Sequence, residues 1–238
     1  MGRFSSLFGF ILGLLVATLI FTLFFWVESP EVEVTRTIPV VAVNEENRSG
    51  LIGNVSIRLE EGASEILVTT SPFLETDIQE STNIAVQSVL DRVKKPEPEK
   101  DFIFTYRISG DVAGGKSAGA AVAILTAAAI SGKNIRDDVI ITGSVNEDGS
   151  IGPVSGLREK AVAAGESGYA LFLVPEGQSN ITYYEKRFVT NNISNGKIYS
   201  ESEQVPITVD LRREMMEKYG MLVIEVEDID EAMGYMLE

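Results

Sequence analysis

Residues Phe4 to Val27 include no charged side chain. A helix of that length, rising about 1.5 Å per residue, crosses a hydrocarbon core of roughly 30 Å. The run is long for a cleaved leader and no small-x-small site precedes the Glu28-Ser29-Pro30 stop, so the pattern predicts a spanning helix. From Glu31 to Thr37 charged and β-branched residues alternate, as in an extended stalk or first strand. Ile38 to Val43 reads as a buried strand. Leu51 to Leu59 and Glu65 to Thr70 follow as strands around turn residues that include Gly62, which suggests an antiparallel meander ended by Ser71-Pro72.

The apolar spacing then lengthens from two to three and four. Ile78, Thr82, Ala85, Val86, Val89 and Val93 fall on one face of a helix expected from about Thr76 to Val93. Lys94 to Lys100 reads as a charged, Pro-bearing loop and Phe102 to Ile108 as a strand. Gly110 to Gly115 forms a glycine-rich connection into a small-residue helix, Ser117 to Ile130, closed by Ser131-Gly132. Alanine and glycine dominate that helix, which lets it pack closely and predicts a central position. A strand at Val139 to Ser144, a turn at Asn146 to Gly149, a helix at Leu157 to Ser167 and a strand at Tyr169 to Val174 follow. The stretch from Glu176 to about Gly220 is polar and reads as irregular except for a helix at Asp210 to Tyr219. Met221 to Val226 and Asp228 to Leu237 complete the chain as a strand and a helix. Strands come first and β/α units later, so the expected fold class is α+β. The expected organisation is an anchor at residues 1–29, a stalk at 30–37, and one domain at 38–238 with an insertion at about 178–220.

Charge refines this picture. Arg3 precedes the apolar run while Glu28, Glu31 and Glu33 follow it. Basic flanks stay cytoplasmic, so the main domain is expected on the extracytoplasmic side. Asn-x-Ser/Thr tripeptides at Asn47, Asn54, Asn180 and Asn192 are compatible with that placement. The chain holds 20 Lys and Arg against 35 Asp and Glu, a net charge of −15 spread along its length, which opposes nucleic acid as a partner. There is no cysteine and no histidine. Their absence removes disulfides, Ser-His-Asp and Cys-His catalysis, and most zinc sites together. Asp111, Asp137 and Asp138 are scattered loop carboxylates that suggest no metal, and no cofactor is expected.

Gly110-Asp111-Val112-Ala113-Gly114-Gly115-Lys116-Ser117 matches the phosphate-binding loop pattern between a strand and a helix, which would make the chain a nucleotide hydrolase. Three features oppose that reading. No later strand ends in an aspartate placed to hold magnesium. Antiparallel strands and a helix precede the loop, leaving little chain for a parallel sheet. The expected extracytoplasmic location also offers little nucleotide.

Gly115-Lys116-Ser117-Ala118-Gly119, Asp138 to Val145 and Gly149 to Ala161 instead resemble the proteolytic domain of Lon proteases. Ser71-Pro72 with Thr76 to Ser81 is similar to the archaeal membrane-bound branch of that family. The resemblance implies a peptidase whose nucleophile is the serine of the Ser-Ala-Gly motif, Ser117, and whose general base is the lysine of the Gly-Leu-x-Glu-Lys motif, Lys160. The chemistry agrees, because a serine needs a neighbouring base and a neutral lysine can serve where histidine is absent. An amine that ordinarily titrates near 10.4 must be partly buried to do so. Thr142, matching the family's Thr-Gly pair, is a candidate to orient that amine. The backbone N–H groups of Lys116 and Ser117 are candidates for an oxyanion hole, with Gly114 and Gly115 admitting the substrate backbone.

The family commonly places an acidic residue and Gly-Pro before the serine, whereas Gly114, Gly115 and Lys116 stand here, and Lys116 adds a second amine beside the nucleophile. No ATPase module is read in these residues. The expectation is therefore an ATP-independent endopeptidase acting on unfolded or membrane-proximal polypeptide, in contact with the bilayer through residues 4–27. The resemblance also implies a ring-like homo-oligomer, possibly a hexamer. A catalytically silent peptide-binding or scaffold module is the rival from another class.

Overall fold

Alternation of apolar and polar residues builds the first sheet from β1 (Val34–Val43), β2 (Gly50–Glu61), β3 (Ile66–Ser71) and β4 (Lys100–Ile108). The computed structural model describes residues 12–14, 16, 18, 34–44, 47–71, 77–93, 99–108, 115–193 and 197–238. It divides into a unit of residues 1–33 and a unit of residues 34–238. In the first, residues 12–14, 16 and 18 are helical. The expected span over residues 4–27 lies almost wholly outside the described residues. Among those described, no helix is long and apolar enough to cross a membrane. The second unit begins in β1, so Val34 to Thr37, in the segment expected as stalk or first strand, pair with Ser56 to Leu59 of β2.

The sheet order is β1-β2-β4-β3, with β1–β2 and β2–β4 antiparallel and β3–β4 parallel. This corrects the expected meander. A parallel neighbour requires a crossover of a dozen or more residues, and α1 (Asp77–Leu90) supplies it between β3 and β4. Hydrophobic alternation marks a strand without naming its partner. The predicted α1 face is found buried at Ile78, Thr82, Ala85, Val86 and Val89, with Val93 packed at the core's margin. A hydrogen bond of 2.7 Å between the Thr82 and Tyr106 hydroxyls joins α1 to β4 inside the core.

Helix α2 (Gly119–Ser131) is buried on every side from Gly119 to Ala129, as an all-apolar helix must be. Gly132 closes it at φ 72°, a left-handed cap suited to glycine. Ser117 was expected in its first turn. It lies instead in a 3₁₀ turn, Lys116–Ala118, that leads into the helix.

The second sheet is parallel, β11-β8-β5 in order, from β5 (Val139–Ile141), β8 (Leu171–Pro175) and β11 (Leu222–Val226). Every residue of β5 and β8 is buried, the continuous apolar run expected of a parallel strand covered on both faces. The strand anticipated over Val139 to Ser144 breaks at Thr142-Gly143, and β6 (Ser144–Val145) then pairs with β7 (Ile151–Gly152). Helix α3 (Leu157–Glu166) connects toward β8, α4 (Leu211–Tyr219) precedes β11, and α5 (Ile229–Met236) follows it.

The stretch from Glu176 to Gly220 is not irregular. It folds as a long antiparallel hairpin, β9 (Asn180–Ile193) and β10 (Lys197–Asp210), paired from Asn180↔Asp210 to Ile193↔Lys197. The overlooked signal is Asn195-Gly196, a favoured hairpin-turn dipeptide between two runs rich in Thr, Tyr, Val and Ile.

Candidate active site

Ser117 is held by what receives its backbone. Its carbonyl accepts the Gly143 N–H at 3.0 Å and the Thr142 hydroxyl at 3.2 Å, so the strand break after β5 fixes the 3₁₀ turn. The break also serves the helix. The Gly143 carbonyl accepts the Ala120 N–H at 2.9 Å, satisfying one of the donors that a helix start leaves without an internal partner. This crossing is too close for side chains on the backbone. A Cβ on Gly143 would meet Ile151 Cγ2 at 2.4 Å, and one on Gly119 would meet the Val145 nitrogen at 3.0 Å.

Lys160 arrives on α3, which begins at Gly156 in a left-handed conformation, φ 63°. Leu157, Lys160, Ala161 and Ala164 share the buried face, and α3 packs on β1, β2 and α4. Gly50 makes the β2 contact possible, since a Cβ there would lie 2.1 Å from the Glu159 carbonyl oxygen and 2.7 Å from Ala163 Cβ. Lys160 is 4% exposed. Its Nζ donates to the Thr142 hydroxyl oxygen at 3.5 Å, and Thr142 is itself fully buried. Burial pushes the Lys160 ammonium down to about 8, against the opposing pull of the Glu159 carboxylate. The Thr142 proton is committed to the Ser117 carbonyl, so its oxygen is left to accept from the amine.

Ser117 and Lys160 line one cleft of about 490 Å³, together with Gly115, Lys116, Ser144 and Gly156 among others. Of the residues singled out from sequence, the structure brings Ser117, Lys160, Lys116 and Gly115 to this cleft, with Thr142 joined behind them by hydrogen bonds. Gly115 has φ 100°, and the space where a Cβ would stand is open, so backbone is exposed to an approaching chain. Lys116 sends its amine to Glu80 of α1 at 3.1 Å, with both side chains half-exposed or more. Gly114 and Asp111 lie outside the described residues, as does most of the phosphate-loop match. Asp138 is paired with Arg136 at 2.7 Å. Arg48 and Ser144 are among the lining residues that sequence reasoning did not single out. Ser144 falls inside a quoted motif, whereas Arg48 carries no local signal because only the folded β1–β2 turn brings it to the cleft.

A serine hydroxyl, a buried amine of lowered basicity and a 3₁₀ turn thus meet at one cleft. The Lon protease (S16) C-terminal proteolytic domain matches residues 48–186, a stretch that contains Ser117, Thr142 and Lys160, and the chain belongs to this family. It is 31% identical over 121 residues to a Lon protease of Chloroflexus aurantiacus, covering 48% of this chain and 14% of that protein. It is 29% identical over 133 residues to Lon protease 2 of Desulfotalea psychrophila, covering 53% and 17%. A Lon protease of Syntrophomonas wolfei is 43% identical over 61 residues, 26% of this chain and 8% of that one. The chain thus spans only a minor part of the length of these relatives.

Proposed function

We propose that the chain is a membrane-anchored endopeptidase that cleaves unfolded or membrane-proximal polypeptide, without ATP, through Ser117 and Lys160. The observation that carries this reading is the buried hydrogen-bond path from Lys160 Nζ through the Thr142 hydroxyl to the Ser117 backbone. It gives the amine a fixed direction and the serine a fixed turn. A binding module has no use for a lysine whose burial disfavours its charge.

In the reaction, neutral Lys160 takes the Ser117 hydroxyl proton as Oγ attacks the scissile carbonyl carbon. The oxygen that becomes negative is met by backbone N–H groups at the head of the 3₁₀ turn, those of Lys116 and Ser117. Collapse breaks the C–N bond, the Lys160 proton passes to the leaving amine, and an ester on Ser117 remains. Water then attacks that ester with Lys160 again as base, releasing the carboxylate product and restoring the hydroxyl. Thr142 positions the amine throughout.

Purified full-length chain in detergent should cleave casein or a fluorogenic peptide equally with and without ATP. Ser117→Ala and Lys160→Ala should each lower turnover by about a thousandfold or more. Activity unchanged in either folded variant would sink the dyad. The anchor at residues 4–27 and an extracytoplasmic catalytic domain rest on the uncharged run and its flanking charges. Digestion of the domain by protease added outside intact cells is the expected result, and protection until lysis would reverse the orientation.

A further inference from the structure

The cleft differs in charge from the chain that carries it. The protein has a net charge of −15, yet the charged residues lining the cleft are Arg48, Lys116 and Lys160, all basic. At physiological salt, fields decay over about 8 Å. A bound chain therefore responds to these basic groups and to the two carboxylates set against them, Glu159 beside Arg48 and Glu80 beside Lys116, more than to the distant acidic surface.

Arg48 is the one built to reach a ligand. Its backbone is held at φ 56°, a conformation that strains a residue bearing a side chain. The turn enforces it, with the Asn44 N–H bonded to the Ser49 carbonyl at 2.8 Å and the Asn47 carboxamide oxygen accepting the Ser49 N–H at 3.0 Å and hydroxyl at 2.7 Å. The side chain is 75% exposed, and its ion-pair contact, with Glu159, is loose at 3.7 Å. Lys116, by comparison, is engaged by Glu80 at 3.1 Å. A planar guanidinium receives a carboxylate through two parallel hydrogen bonds, and an exposed pair as long as that with Glu159 gives way readily to a better partner.

We propose that Arg48 is a specificity-determining residue that binds a carboxylate of the substrate polypeptide beside the scissile bond, so that the enzyme selects acidic sequences. This rests on the protease reading above. The carboxylate belongs either to an Asp or Glu side chain or to the substrate's C-terminus, and the two sources are separable.

The test uses full-length chain in detergent with matched fluorogenic peptides carrying Glu, Gln or Lys at each position flanking the cleaved bond. A further pair ends in a free carboxylate or an amide. Wild type should favour Glu over Gln by about tenfold at one position and disfavour Lys, with the preference shrinking at high salt. Selection confined to the free-terminus peptide would assign the carboxylate to the chain end. Arg48→Ala should bring the Glu/Gln ratio near one, and Arg48→Glu should invert the preference toward Lys. A folded Arg48→Ala enzyme that keeps the wild-type preference, or a wild type that favours neither Glu over Gln nor the free terminus over the amide, overturns the subsite while leaving the protease intact. No turnover of any peptide by wild type overturns the protease reading and the subsite with it.

Discussion

At the scale of the residue, the base role proposed for Lys160 couples activity to a cost in stability. Its folded pKa of about 8 lies below the ordinary 10.5. Below pH 8 both folded and unfolded chains carry the proton, and the folded state bears the full cost of a buried cation. Between pH 8 and 10.5 the unfolded chain binds more protons, so this group makes the fold more stable as pH rises. Lys160→Met, of similar length and no charge, should abolish turnover yet stabilise the fold at pH 7 by at most about 3 kcal/mol. That gain should close as pH approaches 10.5 in denaturant titrations. For wild type the base must be neutral, so kcat/KM should climb about tenfold per pH unit up to pH 8 and then level; a flat profile from pH 6 to 9 removes Lys160 as the base. Thr142→Val should lower kcat and move that limb, while Thr142→Ser, which keeps the hydroxyl, should restore both. Ser117, Lys160 and Thr142 were legible as motif positions because their chemistry sits in contiguous stretches. Arg48 was not, since nothing beside it in the chain announces the cleft that the end of β1, the 3₁₀ turn and α3 line with it.

At the scale of the element, the proposed active site depends on how closely α3 lies on β2. The atom that a Gly50 Cβ would meet first is backbone, the Glu159 carbonyl oxygen at 2.1 Å, which cannot swing aside as a flexible side chain would. Gly50→Ala should displace the start of α3 and with it Lys160, lowering kcat about a hundredfold with a reduced melting temperature. Gly234→Ala is the informative contrast, because it lies within α5 with open space around its Cβ position. There the substitution should stabilise by about 0.5–1 kcal/mol through helix propensity and leave peptide hydrolysis unchanged. Elements with strong periodicity, such as α1, and those with uniform burial, such as α2 and β8, were readable from sequence because one face or all faces must be apolar. The β3–β4 pairing was not readable, for the partner of a strand is settled by the crossover through α1 rather than by its own pattern. The hairpin escaped for the opposite reason. A two-stranded ribbon exposed from Glu185 to Phe188 has little apolar contrast, so its polar residues resemble those of a loop.

At the scale of the whole molecule, the apolar burial that stabilises the domain of residues 34–238 draws little on the described side chains of that hairpin. The two core clusters run from Ile38 to Met236 and draw on the described hairpin only through Ile181 at its base. The base is bolted down in other ways. Gln178 exchanges two hydrogen bonds with Val154 at 2.9 and 3.0 Å, and Arg158 of α3 is bidentate on Glu214 of α4 while its guanidinium lies 5.6 Å from the Tyr183 ring. Beyond Tyr183 the exposed side chains, including Tyr184 at 65% and Phe188 at 73%, add little to the domain's own stability. A fragment of residues 34–238 should therefore unfold in one cooperative step and retain peptide hydrolysis. The same fragment with residues 186–204 replaced by a short Asn-Gly turn joining the paired Glu185 and Val205 should keep its melting temperature within about 2 °C, since surface elements away from core contacts carry little stability. Sedimentation of the two fragments then isolates what the ribbon does for assembly. A homo-oligomer in the parent and a monomer in the shortened form, at equal melting temperature, would make the hairpin a contact between subunits. A collapse of the melting temperature would show that the ribbon stabilises the domain in a way its buried contacts do not account for.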